Sequence, residues 1–271
     1  EDIFRTNPQA LEKLNGWVKA RDASRQPAAM YAMGSLLLEK DDLSGAVKMA
    51  EEGLSKYPQS LPVQILSLNT ITVLLDKNRL QDAERLISKY PGSSPDLVFQ
   101  QGALAFLKKD YSLAQKLFRE AARRASETTA ENALFNENLA ALNANDASGA
   151  AALIKEAAGS SRLRESILFE QAHYAAKRMA PQAAELLANF ITLAETPALK
   201  TQARLDQVEV ALNLNPPDLE TVQAILPLLE KEQLSPEQTM QLARLNILEA
   251  ESRQEWPNAI QSCRRAIALD S

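Results

Sequence analysis

A small residue returns at a near-constant interval along this chain: Ala46, Ala83, Ala114, Ala150, Ala183 and Ala259, with Val222 in the remaining slot. Successive members stand 31 to 39 residues apart. That is the length of two short helices and their connections, and such a period kept through most of a chain marks an array of one supersecondary unit. A short polar tract precedes the small residue in most units, as at Glu39–Asp42, Asp76–Arg79, Lys108–Asp110 and Asn143–Asp146. Breakers divide one unit from the next: Pro58, Pro91 with Gly92, Pro95, Gly159-Ser160-Ser161, Pro197, Pro216-Pro217 and Pro236. Between breakers the apolar residues keep the 3.6-residue period of a helix and almost none of the alternation of a strand. Each unit therefore reads as two helices joined by a tight turn. Even a tetrapeptide, Ser-Lys-Tyr-Pro, returns, at residues 55–58 and 88–91.

Two antiparallel helices come close only where small side chains meet. Gly34 and Gly102, in the first helices of their units, are expected to face the alanine of the second helix. A glycine inside a helix costs about 1 kcal/mol relative to alanine, so close packing must return more than that. Leu117, Phe118 and Leu187 are expected to fill the space toward the next hairpin. Proline stops the second helix of some units, because it lacks an N–H and clashes with the preceding turn.

The residues Gly34…Ala46…Pro58, and above all Gly102-x8-Tyr111-x2-Ala114-x3-Phe118-x2-Ala121, resemble the tetratricopeptide repeat (TPR). Trp256-x2-Ala259-x3-Cys263-x2-Ala266-x3-Asp270 is similar to the second helix of that repeat. The likeness extends over seven units, at about 27–59, 60–94, 95–126, 127–161, 162–197, 198–236 and 237–271. It is weaker in the second unit, shortened before Pro91, and in the sixth, which carries Pro216-Pro217 and Pro227. Where the family has a large aromatic early in the first helix, Met30, Val98 and Leu134 stand instead. The resemblance implies an all-α, right-handed superhelical solenoid of stacked antiparallel helix pairs, with first helices lining a concave groove. Repeats ending in Ser-Lys-Tyr-Pro look like those of bacterial TPR proteins of envelope assembly, pilus biogenesis or exopolysaccharide export. Many of these are periplasmic or membrane-tethered.

Residues 1–26 do not complete a comparable hairpin. Asn7-Pro8 reads as an N-cap followed by a helix-starting proline. The helix expected over Gln9 to Arg21 is either the second half of an earlier unit or a capping helix. The chain begins Glu1-Asp2-Ile3, and its last helix, from Ala266 to Asp270 and Ser271, has no polar closing helix after it. The expectation is a piece of a longer protein, whose catalytic or transport part would lie outside this chain if it serves as a docking or regulatory segment.

Chemistry is excluded by missing parts. One cysteine forms no internal disulfide and no thiolate zinc or iron–sulfur site, and one histidine is too few for most metal-dependent hydrolases. No Gly-rich phosphate loop is present, nor a G-x-G-x-x-G. A net charge of −5 with mixed signs lacks a nucleic-acid footprint. No apolar run reaches the roughly 18 to 20 residues that cross a bilayer. The expectation is a non-enzymatic protein with no catalytic residue, cofactor or metal, no nucleic-acid partner, and no insertion of this segment into a membrane. His173 is expected to be a packed or surface helical residue, and Cys263, in the slot of Ala50, Phe118 and Leu187, to be buried. The acids Asp41-Asp42 and Glu51-Glu52, like the Lys116, Arg119, Arg123 and Arg124 cluster, are expected to be solvated.

What remains is the groove. Positions one residue after the early large residue of each first helix are Tyr31, Leu68, Phe99, Phe135 and Leu168; the next are Ala32, Asn69, Gln100, Asn136 and Phe169. One turn further come Ser35, Thr72, Ala103, Leu139 and Ala172. The expected partner-binding residues are Tyr31, Leu68, Asn69, Phe99, Gln100, Phe135, Asn136 and Leu139. A primary amide bonds both N–H and C=O of a peptide backbone, and rings supply pockets for side chains. The alternative is that the rings pack between neighbouring first helices. TPR modules that hold acidic chaperone tails carry Lys, Asn and Arg on these helices. Tyr31, Ser35, Asn69, Asp96 and Gln100 stand here, without the cations, so a protein or peptide partner other than such a tail is expected.

Overall fold

The computed structural model describes residues 8–19 and 25–269. Among them are fifteen α-helices and no strand. The helices are α1 (Pro8–Lys19), α2 (Gln26–Glu39), α3 (Leu43–Lys56), α4 (Leu61–Asp76), α5 (Leu80–Lys89), α6 (Pro95–Leu107), α7 (Tyr111–Arg124) and α8 (Glu127–Asn143). After these come α9 (Ala147–Glu156), α10 (Ser161–Lys177), α11 (Ala183–Leu193), α12 (Pro197–Leu212), α13 (Leu219–Leu229), α14 (Pro236–Ser252) and α15 (Trp256–Leu269). The chain falls into two compact units that meet in sequence at Asn145 and Asp146. The expected cap at Asn7 and helix end at Arg21, like Glu1-Asp2-Ile3, Asp270 and Ser271, lie outside the described residues.

Within each unit, helices pack on their neighbours in sequence, and first helices also pack on first helices: α2 on α4, α4 on α6, α10 on α12, and α12 on α14. All seven recurring small residues, Ala46, Ala83, Ala114, Ala150, Ala183, Val222 and Ala259, are buried. Around them sit leucine-rich cores. One joins Leu43, Val47, Leu54, Val63, Leu66, Leu74 and Leu86; another, in the second unit, joins Leu205, Val208, Val222, Leu226 and Leu245. Fully burying such a side chain contributes about 1.5–3 kcal/mol.

The mid-hairpin turn repeats one backbone design. Asp41, Asn78, Lys109, Asn145, Met179 and Gln254 all have positive φ, between 48° and 64°. In five of these turns the two N–H groups that follow the helix reach back to close it. Asp41 N–H donates to Leu38 C=O and Asp42 N–H to Leu37 C=O; the same pair recurs at Asn78 and Arg79, at Lys109 and Asp110, at Met179 and Ala180, and at Gln254 and Glu255. This is the Schellman closure, which satisfies carbonyls that a helix end would otherwise leave open. Except in the Met179 hairpin, where the second helix begins at Ala183, the next residue leads directly into the second helix. Asp42, Asp110 and Asp146 each accept the N–H three residues on, from Gly45, Leu113 and Gly149.

The glycines act differently from expectation. A Cβ added to Gly34 would lie 2.3 Å from Leu66 Cδ1, and one added to Gly102 would lie 2.8 Å from Phe118 Cδ1. At neither glycine do the atoms nearest that Cβ belong to the expected alanine. Each admits the tip of a large side chain, Leu66 from the next first helix and Phe118 from one turn past Ala114. Cys263 also departs from expectation, being exposed. Its counterpart Ala50 is buried in a core shared with α4 of the following hairpin, whereas α15 packs on α14 and the described residues hold no following hairpin. Asp41, Asp42, Lys116, Arg123 and Arg124 are exposed, as expected, whereas Glu51 and Arg119 are held in ion pairs. Glu51 meets Arg85 and Lys89 at 2.8 and 3.1 Å, and Arg119 meets the buried Glu137 at 2.6 Å.

Candidate functional site

The positive-φ residue is a ruler for comparing first helices. Ten residues before it stand Tyr31, Leu68, Phe99, Phe135 and Phe169; nine before it, Ala32, Asn69, Gln100, Asn136 and Glu170; six before it, Ser35, Thr72, Ala103, Leu139 and His173. For the first four hairpins this reproduces the rows read from sequence. In the fifth, Leu168, Phe169 and Ala172 give way to Phe169, Glu170 and His173. The sequence reading was one residue early there, because Met179 carries no letter-level sign of its backbone conformation.

Three of the eight expected residues share a cleft. Thr72, Leu75 and Asp76 of α4, five residues of α6 including Phe99, Gln100 and Leu107, Phe118 of α7 and Asn136 of α8 line a space of about 360 Å³. Its walls come mainly from adjacent first helices, which is why Thr72 and Gln100, 28 residues apart in sequence, meet. One N–H of Gln100 Nε2 donates to Thr72 Oγ1 at 2.8 Å, bridging α6 to α4. Asn136 Nδ2 donates to the Asn132 carbonyl of its own helix at 2.8 Å. Both amides keep a carbonyl oxygen to offer.

The rings divide between the two readings. Phe99 is half-buried and tilts against the buried Phe118, with centroids 5.3 Å apart, so it is both cleft wall and core. Tyr31 and Leu68 pack against the core of the first two hairpins. Phe135 and Leu139 are half-buried, Asn69 is exposed, and none of the three lines the cleft. Thr72 and Ala103 stood in the third row read from sequence, whereas Asp76, Phe106 and Leu107 were missed.

The second unit carries a polar assembly around His173, six residues before Met179. His173 Nδ1 hydrogen-bonds Asp206 Oδ2 at 2.5 Å, and the Asp206 side chain is wholly buried. Gln202 Nε2 donates to Asp206 Oδ1 at 3.2 Å and to Gln241 Oε1 at 3.0 Å, while Gln241 Nε2 donates to Glu209 Oε2 at 3.3 Å. Lys177 Nζ stands 3.3 Å from Glu209 and 3.9 Å from Asp206. The network thus ties α10, α12 and α14 together. The Asp206 hydrogen bond raises the proton affinity of His173 above the ordinary imidazole, against the opposing pull of burial. Burial also pushes the Glu170 carboxyl up. Sequence reasoning set His173 aside because its partners lie a full hairpin or more away.

Among the described residues no group of three or more His, Cys, Asp or Glu side chains is gathered to hold a metal ion, and no helix is long and apolar enough to cross a membrane. Comparison of the chain with protein-family models and with curated proteins found no match.

Proposed function

We propose that this chain is an interaction scaffold without catalytic activity, built from TPR-like hairpins of right-handed superhelical sense. It takes an extended peptide or a helix of a partner protein on the first-helix face of its first unit. The observation that carries this reading is the α4–α6–α8 cleft, where half-buried apolar walls stand beside the amides of Gln100 and Asn136. Apolar walls with a few placed hydrogen-bonding groups are the usual makeup of a recognition site, and amides suit a backbone whose sequence is not read. Exposed Asn69 extends the same row by one hairpin.

The test is selection of peptides from a displayed random library by the whole chain, followed by binding to an Asn69→Lys, Asn136→Lys variant. Binding weaker by about tenfold or more, equivalent to about 1.4 kcal/mol, is expected with the melting temperature unchanged. Selected peptides that bind the variant as well as the wild type place their site elsewhere and refute the proposal. Phe99 is a poor probe, since its contact with Phe118 makes any loss of binding inseparable from loss of packing.

A further inference from the structure

The sole imidazole of the chain sits on a seam between two hairpins of the second unit. The charged groups around it are few. Its own helix α10 brings Glu170 and Lys177, with Arg178 engaged over the Tyr174 ring, 5.3 Å from its centroid. Helix α12 brings Asp206 and Glu209, and α14 adds the amides Gln238 and Gln241 to the network. From α9 comes the Ala150 carbonyl, which accepts from Gln171, and α11 presents Phe190 to Phe169. The Phe169 ring is in turn stacked on His173, 5.4 Å between centroids.

Asp206 is the group at stake. A wholly buried carboxylate is costly unless it is paired and hydrogen-bonded. Its donors are the His173 ring and the Gln202 amide, and Lys177 at 3.9 Å is half-exposed and shared with Glu209. A neutral ring offers that carboxylate only an N–H dipole, while a protonated ring adds an opposite charge beside it, where burial leaves the attraction little screened. The geometry points to a pH-sensitive clasp: protonated His173 ties α10 to α12 through Asp206, and the tie loosens as the ring loses its proton.

The sign follows from linkage. His173 gains its partner on folding, so its contribution is complete below the unfolded-chain value of 6.5 and is lost as pH rises through the higher folded value. Glu170 works in the same direction, because burial favours its neutral form and its ionisation on raising pH weakens the fold. Glu165, near the other end of α10, has the opposite sign. Burial raises its carboxyl, but the Thr196 and Glu195 donors outweigh burial and hold it below the usual 4.5. It therefore stays ionised throughout the range in which His173 titrates. The residues of the clasp all belong to the second unit.

Because the chain has one histidine, its ring protons identify it without assignment ambiguity in a nuclear magnetic resonance titration of the intact protein. The wild-type midpoint is expected above that of an ordinary imidazole, and Asp206→Asn should move it back down. Amide protection over residues 169–176 and 203–210, corrected for intrinsic exchange, should fall at least about threefold from about pH 5.5 to 8.5. In a Glu170→Gln background, which removes the carboxyl that titrates in the same direction, His173→Gln should abolish that dependence. A wild-type midpoint at or below the ordinary value overturns the proposal, as does pH-dependent protection that survives in the Glu170→Gln, His173→Gln double variant. Should Asp206→Asn fail to fold, the wild-type titration and the double variant still decide.

Discussion

Gly34 shows how one missing side chain sets a contact between hairpins. Leu66 fills the place a Cβ would take, so Gly34→Ala must push the leucine methyls aside. Overpacking of this kind costs about 1–3 kcal/mol, partly offset by about 1 kcal/mol of better helix propensity for alanine. Net destabilisation of Gly34→Ala in chemical denaturation is expected, with recovery when Leu66 is shortened to valine in the same chain. A double variant no more stable than the Gly34→Ala single would mean that the leucine does not carry the strain. At the same scale Asp206 shows what a single letter hides: besides Gln202 of its own helix, its partner is His173 on α10, 33 residues away, and α14 is reached only through Gln202.

Among elements, the turn carries the design. An L-residue in the left-handed region costs about 1–2 kcal/mol, yet Asp, Asn, Lys, Met and Gln occupy it here. Lys109→Gly removes that cost at an exposed site and gives back part of it as unfolded-chain entropy. A gain of up to about 1 kcal/mol, or about 2–4 °C in Tm for a unit of this size, is expected by calorimetry; a loss would mean that the lysine side chain itself supports the turn. The pairing of helices was legible beforehand because burial of Ala46, Ala83, Ala114 and their counterparts follows from a period that letters record. The phase of the fifth hairpin was not, because methionine has no preference for the conformation it adopts there. Cys263 misled for a related reason: equal position implied equal burial only where a following hairpin packs over it.

For the molecule as a whole, the two units hold separate leucine cores, Leu66 and Leu74 in one, Leu205 and Leu245 in the other. Stability in such arrays is close to a sum of local terms. Leu205→Ala should therefore lower amide protection in α12–α14 by about 2–5 kcal/mol and leave α3–α6 nearly unchanged in hydrogen exchange of the intact chain. An equal loss in both units would show one cooperative body instead. The face proposed for partner binding lies in the first unit and the clasp in the second.

Six of the reversals within hairpins rest on the sign of one dihedral, and five of them on two amide protons as well, neither of which belongs to any particular amino acid. Ancestry among such hairpins can thus outlive every shared letter, since mutation may rewrite the text while the fold keeps its punctuation.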